Sequence, residues 1–500
     1  MNLHILVLVP VLTAIAILFF KELKQIRMIA FLGSALQLLL SFALLAAFYA
    51  ERATGNLTPM LFYSSIKWFP ALGIAYTTGI DGIAMAMIML SAFVVLAGVL
   101  VSWKMEKLSR EFFFLLMLLS AGAYGFFISL DLFVMFFFLE IAVIPKFLLI
   151  GIWGSGRKEY SAMKLALMLM GGSALVFLGI LGIYFNSADD FGQHTFNILT
   201  LSVKHIPYSA QMLFFPFAFI GFGIFGALFP FHTWVPDGHS SAPTAASMFL
   251  AGISMKLGGY GCLRVATYLM PEAAHTYSPI IIVLAAIAII YGAFATMMQT
   301  DLKYINAYSS VSHCGFVLLG IGMMNETAIN GAVMQMISHG LMTALFFAAI
   351  GMIYERTHTR MLAQLGGLLK VMPFISSIFV IAGLCSLGLP GFSGFVAEMT
   401  IFMGSWQHAE TGYRIATILS CASIVVTAVY ILRAAGKSIM GPIINDEHFQ
   451  LSDATWNEKL AAVVLLFGIV TIGIAPFWLS DLIGPGVHGL MTNIGRTILS

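Results

Sequence analysis

Five hundred residues would ordinarily fold as three or four soluble domains, but 60% of this chain is apolar and only 9% is charged, against about 25% in soluble domains. That much apolar surface cannot be hidden from water, so the solvent is lipid. A net charge of +2 and the lack of a basic tract exclude nucleic acid or another polyanion as a partner. The four cysteines, Cys262, Cys314, Cys385 and Cys421, lie far apart inside apolar runs. They read as small hydrophobes rather than as disulfides or metal ligands.

Crossing a hydrocarbon core of about 30 Å takes about 20 helical residues. Runs of that kind occupy 3–20, 28–49, 80–102, 112–130, 132–153, 162–185, 210–230, 243–268, 278–299, 304–323, 329–353, 372–405, 412–433 and 458–482. The first begins MNLHILVLVP, with no basic leader and no clear cleavage site, and reads as an uncleaved span. The runs are continuous rather than alternating, which excludes a barrel. The run at 372–405 is too long for one straight helix and is broken at Gly388-Leu-Pro-Gly-Phe-Ser-Gly394; counted as one interrupted crossing it gives fourteen spans. Charge bias favours that count. Lys21, Lys24 and Arg27, then Lys104, Lys107 and Arg110, then Arg157 and Lys158, then Arg356, Arg360 and Lys370 all follow odd-numbered spans. Arg433 and Lys437 join them only if 372–405 crosses once. These loops are expected in the cytoplasm and both termini on the outer face. The expected fold is an all-α membrane protein of about 14 transmembrane helices.

Two spans depart from plain apolar helix. Span 7 runs into Phe229-Pro-Phe-His-Thr-Trp-Val-Pro-Asp-Gly-His-Ser-Ser-Ala-Pro243, and span 12 is cut at Gly388–Gly394. Irregular backbone at membrane depth survives only inside protein or beside a water-filled cavity. The breaks lie five spans apart, and an odd shift reverses direction. The pattern therefore predicts two inverted five-helix repeats, helices 4–8 over 112–269 and helices 9–13 over 278–434, with broken helices 7 and 12. Residues 458–500 remain as a C-terminal helix and tail.

Ionisable residues inside spans are the sharper functional signal, because each costs several kcal/mol unless hydrated or paired. Glu140 lies nine residues into span 5, with Lys146 further along it after Pro145. Lys164 is near the start of span 6, Lys256 midway along span 8, His313 mid-span 10, His339 in span 11 and Glu398 in the second half of span 12. Acid, base and imidazole at similar depth are what a horizontal proton relay requires. Each has a plainer reading: Lys164 and Lys303 are near enough to helix ends to snorkel, and His313 can simply hydrogen-bond to a neighbouring helix. Glu140, Lys256 and Glu398 have no such escape. The chain has no GxGxxG between strand and helix, no Walker A and no CxxCH, so no cofactor is expected in this chain and any redox chemistry belongs to a partner.

The stretch Phe231-His-Thr-Trp-Val-Pro-Asp-Gly-His-Ser-Ser-Ala-Pro-Thr244, followed by Ala251-Gly-Ile-Ser-Met-Lys256, resembles the antiporter-like subunits of complex I. So do Gln299-Thr-Asp-Leu-Lys-Tyr-Ile-Asn-Ala-Tyr-Ser-Ser-Val-Ser-His-Cys-Gly315, Gly391-Phe-Ser-Gly-Phe-Val-Ala-Glu398, and Phe138-Leu-Glu140 with Ile152-Trp-Gly154. Over roughly residues 80–435 the type is similar to the chain 4 subunits of NADH-quinone oxidoreductases, including those of photosynthetic organisms. The resemblance implies a proton-translocating module of a redox-driven respiratory complex, with no redox centre of its own. It further implies a bacterial inner membrane, and other membrane subunits, further antiporter-like ones among them, as partners.

Residue by residue, the resemblance gives Glu140 the role of the span 5 glutamate, Lys164 that of the span 6 lysine and Lys256 that of the central lysine. His339 matches the span 11 histidine and Glu398 the terminal carboxylate. One departure stands out: Phe225 occupies the position of the family's span 7 lysine, and span 7 has no ionisable residue. Lys146 is a possible compensating base, as is Lys164; six residues are about 600° of helix, so Lys146 shares a face with Glu140 only if Pro145 redirects the turn. Related modules serve Mrp-type Na⁺/H⁺ antiporters, membrane-bound hydrogenases and formate-oxidising complexes. A scaffold subunit that has lost pumping is the third reading.

Overall fold

The computed structural model describes residues 2–188 and 192–499. The N-terminal part opens with α1 (Ile5–Leu18) and α2 (Leu23–Ala53), then leaves helix for an antiparallel hairpin, β1 (Leu61–Phe69) and β2 (Ile74–Ile80). The all-helical expectation leaves no place for this hairpin, in which Ser64 pairs with Thr78 and Ile66 with Tyr76. Helices follow: α3 (Gly82–Val101), α4 (Ser109–Ile128), α5 (Leu132–Trp153), α6 (Lys158–Phe185), the single turn α7 (Ile198–Leu201), α8 (Tyr208–Phe225) and α9 (Trp234–Ser241). Next, α10 (Thr244–Phe249) and α11 (Met255–Gly261) are joined and extended by π-helical turns at Leu250–Ser254 and Cys262–Thr267, so one helical rod covers 244–267. The remainder are α12 (Pro271–Met298), α13 (Leu302–Gly322), α14 (Glu326–Thr357), α15 (Pro373–Ser386), α16 (Ser393–Trp406), α17 (Thr411–Ser438), α18 (Trp456–Ile474) and α19 (Phe477–Leu499).

Ten of these helices among the described residues are long and apolar enough to cross a membrane, and α1 and α15 are shorter apolar helices. The protein is integral to the membrane. Helix starts are fixed by short polar side chains that satisfy otherwise unpaired N–H groups. Asp81 accepts from Ala84 N at 2.9 Å to begin α3, Asp131 from Phe133 N and Val134 N to begin α5, and Asp301 from Lys303 N to begin α13. Thr455 and Glu458 form a capping box on α18.

Burial sorts the helices by role. The apolar stretch of α14 is wholly enclosed by protein, and α3 is nearly so; α14 is the central post, packed by α3, α13, α15, α16 and α18. The outer helices turn apolar side chains to lipid, such as Leu39 of α2, Val283 of α12 and Val425 of α17. Both expected helix breaks are present: α8 ends at Phe225, eight residues before α9 resumes, and α15 ends at Ser386 before α16 begins at Ser393.

The C-terminal expectation needs correction. The apolar run at 458–482 is two helices rather than one, because residue 475 precedes Pro476 and is pushed out of the α region; the presumed tail is α19. Its buried residues, Leu479, Leu482, Ile483, Val487, Leu490 and Ile494, recur at helical spacing and pack onto α3, α12 and α14. Gly82 permits this contact, since a Cβ there would lie 1.7 Å from the Leu482 carbonyl oxygen. Gly82→Ala must therefore push α19 away, at a cost of about 1–3 kcal/mol. The expected result is a lower thermal midpoint for the solubilised protein and faster proteolysis within 477–499.

Candidate functional site

The breaks, the π turns and the central post converge on a set of buried ionisable groups. Lys256 is 1% exposed and sits just after the first π turn, where its Nζ folds back to donate to the Ala251 carbonyl. A π turn widens the backbone spiral and is a common device at functional positions in helices. Nζ also lies 2.7 Å from Nδ1 of His339, on α14. A cavity of about 10 Å³, lined by Gly226, Met255, Lys256, Gly259, Cys314 and Met336 among others, leaves room beside it for about one water molecule.

The set continues through α13 to the break in the α15–α16 pair. The rings of His339 and His313 lie 5.3 Å apart, centre to centre, a gap that one bridging water closes. Nδ1 of His313 is 3.2 Å from Oε1 of Glu398, and its Nε2 is 3.0 Å from the Ser386 hydroxyl. The consistent neutral tautomer has Nδ1–H donating to the carboxylate while Nε2 accepts from Ser386. Gln335 Nε2 also faces Nδ1 at 3.2 Å while its Oε1 is unpartnered, so the amide fits better turned, with oxygen towards that N–H. Glu398 is 4% exposed, and Gly388 at the helix break, with φ of +74°, lets Oε2 approach where a Cβ would stand 2.8 Å away. Lys256, His339, His313 and Glu398 are therefore one buried, nearly continuous hydrogen-bonding series.

The remaining expected residues are placed differently. Lys164 donates to Asp237 of α9 at 2.7 Å, and the Tyr304 hydroxyl donates to the same carboxylate at 3.3 Å. Lys164 is thus committed to Asp237 rather than to Glu140. Lys303 is buried and donates to the Ala242 carbonyl at 2.7 Å, while Arg360 donates to Ser240 at 2.8 Å. Both cations cap the carboxyl end of α9, where they complement the helix dipole. Glu140 Oε1 and Lys146 Nζ are both buried and without a hydrogen-bond partner. Lys146 is 1% exposed, stands 5.7 Å from the Phe225 ring centre and is within electrostatic reach of Glu140.

Three residues of the neighbourhood escape sequence reasoning. Asp237 and His239 both lie in the broken segment after α8, where the sequence marks an interruption but assigns no roles. His239 is fully buried, with neither ring nitrogen partnered, stacked on Phe347 at 5.3 Å and within electrostatic reach of Lys256 and Lys303. Arg264, at membrane depth on the rod carrying Lys256, forms a buried ion pair with Asp81. Among the described residues, no group of three or more His, Cys, Asp or Glu side chains is arranged to hold a metal ion.

Known proteins share both the sequence and the fold. Residues 129–427 match the NADH:quinone oxidoreductase/Mrp antiporter transmembrane family. A NAD(P)H-quinone oxidoreductase chain 4 of Synechococcus sp. is 36% identical over 483 residues, which cover 95% of this chain and 89% of the relative. A chain in the structure of respiratory complex I from Thermus thermophilus with bound NADH superposes with a TM-score of 0.88 at 24% identity, over 98% of this chain and 99% of that one. A chain of the Mrp complex from Dietzia sp. does so with a TM-score of 0.84 at 19% identity, over 100% and 99%. The chain is an antiporter-like membrane subunit and belongs to the NADH:quinone oxidoreductase/Mrp antiporter family.

Proposed function

We propose that this subunit translocates protons within a redox-driven respiratory complex of a bacterial inner membrane, coupled to quinone reduction carried out in other subunits. The observation that carries this reading is the buried series from Lys256 through His339 and His313 to Glu398. A buried amine, two imidazoles and a carboxylate in hydrogen-bonding sequence can take up, pass on and release a proton, whereas an apolar packing core has no use for them. Protons enter from the cytoplasm near Glu140 and Lys164, cross at mid-membrane along the series, and leave outward from Glu398. Because the groups interact closely, they titrate as a set, and a change of charge at Glu140 is transmitted to its neighbours.

The reading assigns fourteen crossings: the ten long helices, α1, the rod at 244–267, α13 and the α15–α16 pair. Both termini then face outward. It also treats 112–269 and 278–434 as inverted repeats, with 458–500 standing outside them. Two small backbone bridges support the repeats. Leu132 N donates to Phe196 O and Ile198 N to Leu130 O, which ties the start of α5 to the segment beyond α6. Leu302 N donates to Arg360 O and Leu362 N to Thr300 O, which ties the start of α13 to the segment beyond α14 in the same way. Each bridge is centred on the capping aspartate, Asp131 or Asp301, and under the orientation above they lie on opposite sides of the membrane.

Glu398→Gln is the direct test at the release end. The amide keeps the size and hydrogen-bonding capacity of the carboxyl but cannot carry a proton. Proton ejection per electron, measured in vesicles containing the assembled complex, should fall by this subunit's whole share. Unchanged ejection would favour a subunit that serves only as scaffold, the reading to which the charge-free α8 points. Translocation that follows Na⁺ rather than protonophore sensitivity would favour an Mrp-like exchanger.

A further inference from the structure

Lys146 presents a physical problem. Its ammonium is buried and has no hydrogen-bond partner, the costliest state for a cation unless it can lose its proton or borrow water. A lysine kept there for packing alone would be served as well by methionine. Its surroundings give it a use. One and a half turns earlier on α5, Glu140 also has a buried oxygen without a partner, and it is the charge that acts on Lys146. Pro145 lies between them and has no N–H to offer the Ile141 carbonyl, which leaves a polar backbone group on the turn connecting the pair.

Across from Lys146 stands Phe225, the last residue of α8, with its ring centre 5.7 Å from Nζ. The next residue, Gly226, lines the small cavity that Lys256 shares. The helix that supplies Phe225 has no ionisable side chain other than a tyrosine anywhere along Tyr208–Phe225, so α8 brings no base of its own to this place. Lys146 thus lies between a buried carboxyl and the chamber of Lys256.

We propose that Lys146 is the proton-carrying base of the entry half of the relay. It takes a proton from cytoplasmic water while Glu140 is ionised, and releases it past Phe225 and Gly226, through water in the cavity, to the neutral amine of Lys256. One N–H bond breaks at Lys146 and one forms at Lys256; no electrons move. Neutralisation of Glu140 removes the charge that retains the proton on Lys146 and favours its release. The assignment rests on the proposed role of Lys256.

Three variants of the assembled complex test it, with proton ejection per electron in vesicles as the readout and Lys256→Met measured beside them. Lys146→Arg keeps a positive charge at the site, but a guanidinium does not give up its proton; ejection should fall to the Lys256→Met level. Lys146→Met should do the same. Adding Phe225→Lys to Lys146→Met returns an amine to the same space from the facing helix and should restore much of the ejection. If Lys146→Met fails to assemble, the arginine variant still decides, since a purely structural cation predicts that it works normally. Normal ejection in Lys146→Arg, with ejection lost in Lys256→Met, overturns the inference and leaves the proposed function standing. Normal ejection in both overturns that reading as well.

Discussion

Lys256→Met is expected to abolish proton translocation by this subunit while leaving the complex assembled and its membrane insertion unchanged. Methionine is unbranched and fills nearly the same volume, so the rod at 244–267 and its packing against α8 and α14 persist. What it removes is the amine that contacts Ala251 O and His339 Nδ1. Without it the Glu398–His313–His339 end has no proton source, and no other base borders the cavity beside Gly226. Ejection per electron in vesicles should lose the whole contribution of this subunit, an effect well beyond the partial losses expected from residues at the ends of the series. Retention of full ejection would show that the series is structural.

Much of this site is legible in the sequence because membranes make charge conspicuous. Against spans of unbroken Leu, Ile, Phe and Met, Glu140, Lys256 and Glu398 have no innocent reading, and the structure does bring Lys256, His339, His313 and Glu398 together. The breaks after α8 and α15 are legible for a related reason, since Gly and Pro clusters interrupt otherwise continuous apolar runs. Partner choice is not legible. Lys164 pairs with Asp237 across 73 positions, and Arg264 with Asp81 across 183. Asp81, at the start of a span, reads as an ordinary loop charge until Arg264 is seen beside it. The hairpin at 61–80 escapes a reading by spans because its alternation of polar and apolar residues is short and lies between two long apolar runs. Helix α19 reads as a tail because its apolar stripe covers only one face.

The Asp81–Arg264 pair has the second large predicted effect, on stability rather than transport. Both side chains are almost inaccessible, at 2% and 3%. Asp81 also caps α3 through Ala84 N, and Arg264 stacks over Tyr260 at 5.5 Å. Asp81→Ala leaves a buried guanidinium unpaired, which costs about 3–5 kcal/mol, with about 1 kcal/mol more for the lost cap. The subunit should accumulate poorly, and its thermal midpoint should drop sharply. Asp81→Ala combined with Arg264→Met removes both charges and should recover most of the loss, because the pair itself contributes little beyond an apolar substitute. A double variant no better than the single one would locate the effect in the helix cap or in the contact with α19, where Gly486 approaches Asp81.

A single proton route running across the membrane interior from Lys256 to Glu398 is tested most directly by ordered-water density in a high-resolution map of the assembled complex. The expected result is water in the cavity beside Lys256, a bridging water between His339 and His313, and water reaching Glu398 at the α15–α16 break. A dry apolar gap between Lys256 and Glu398, with water instead tracking another set of residues, would contradict it.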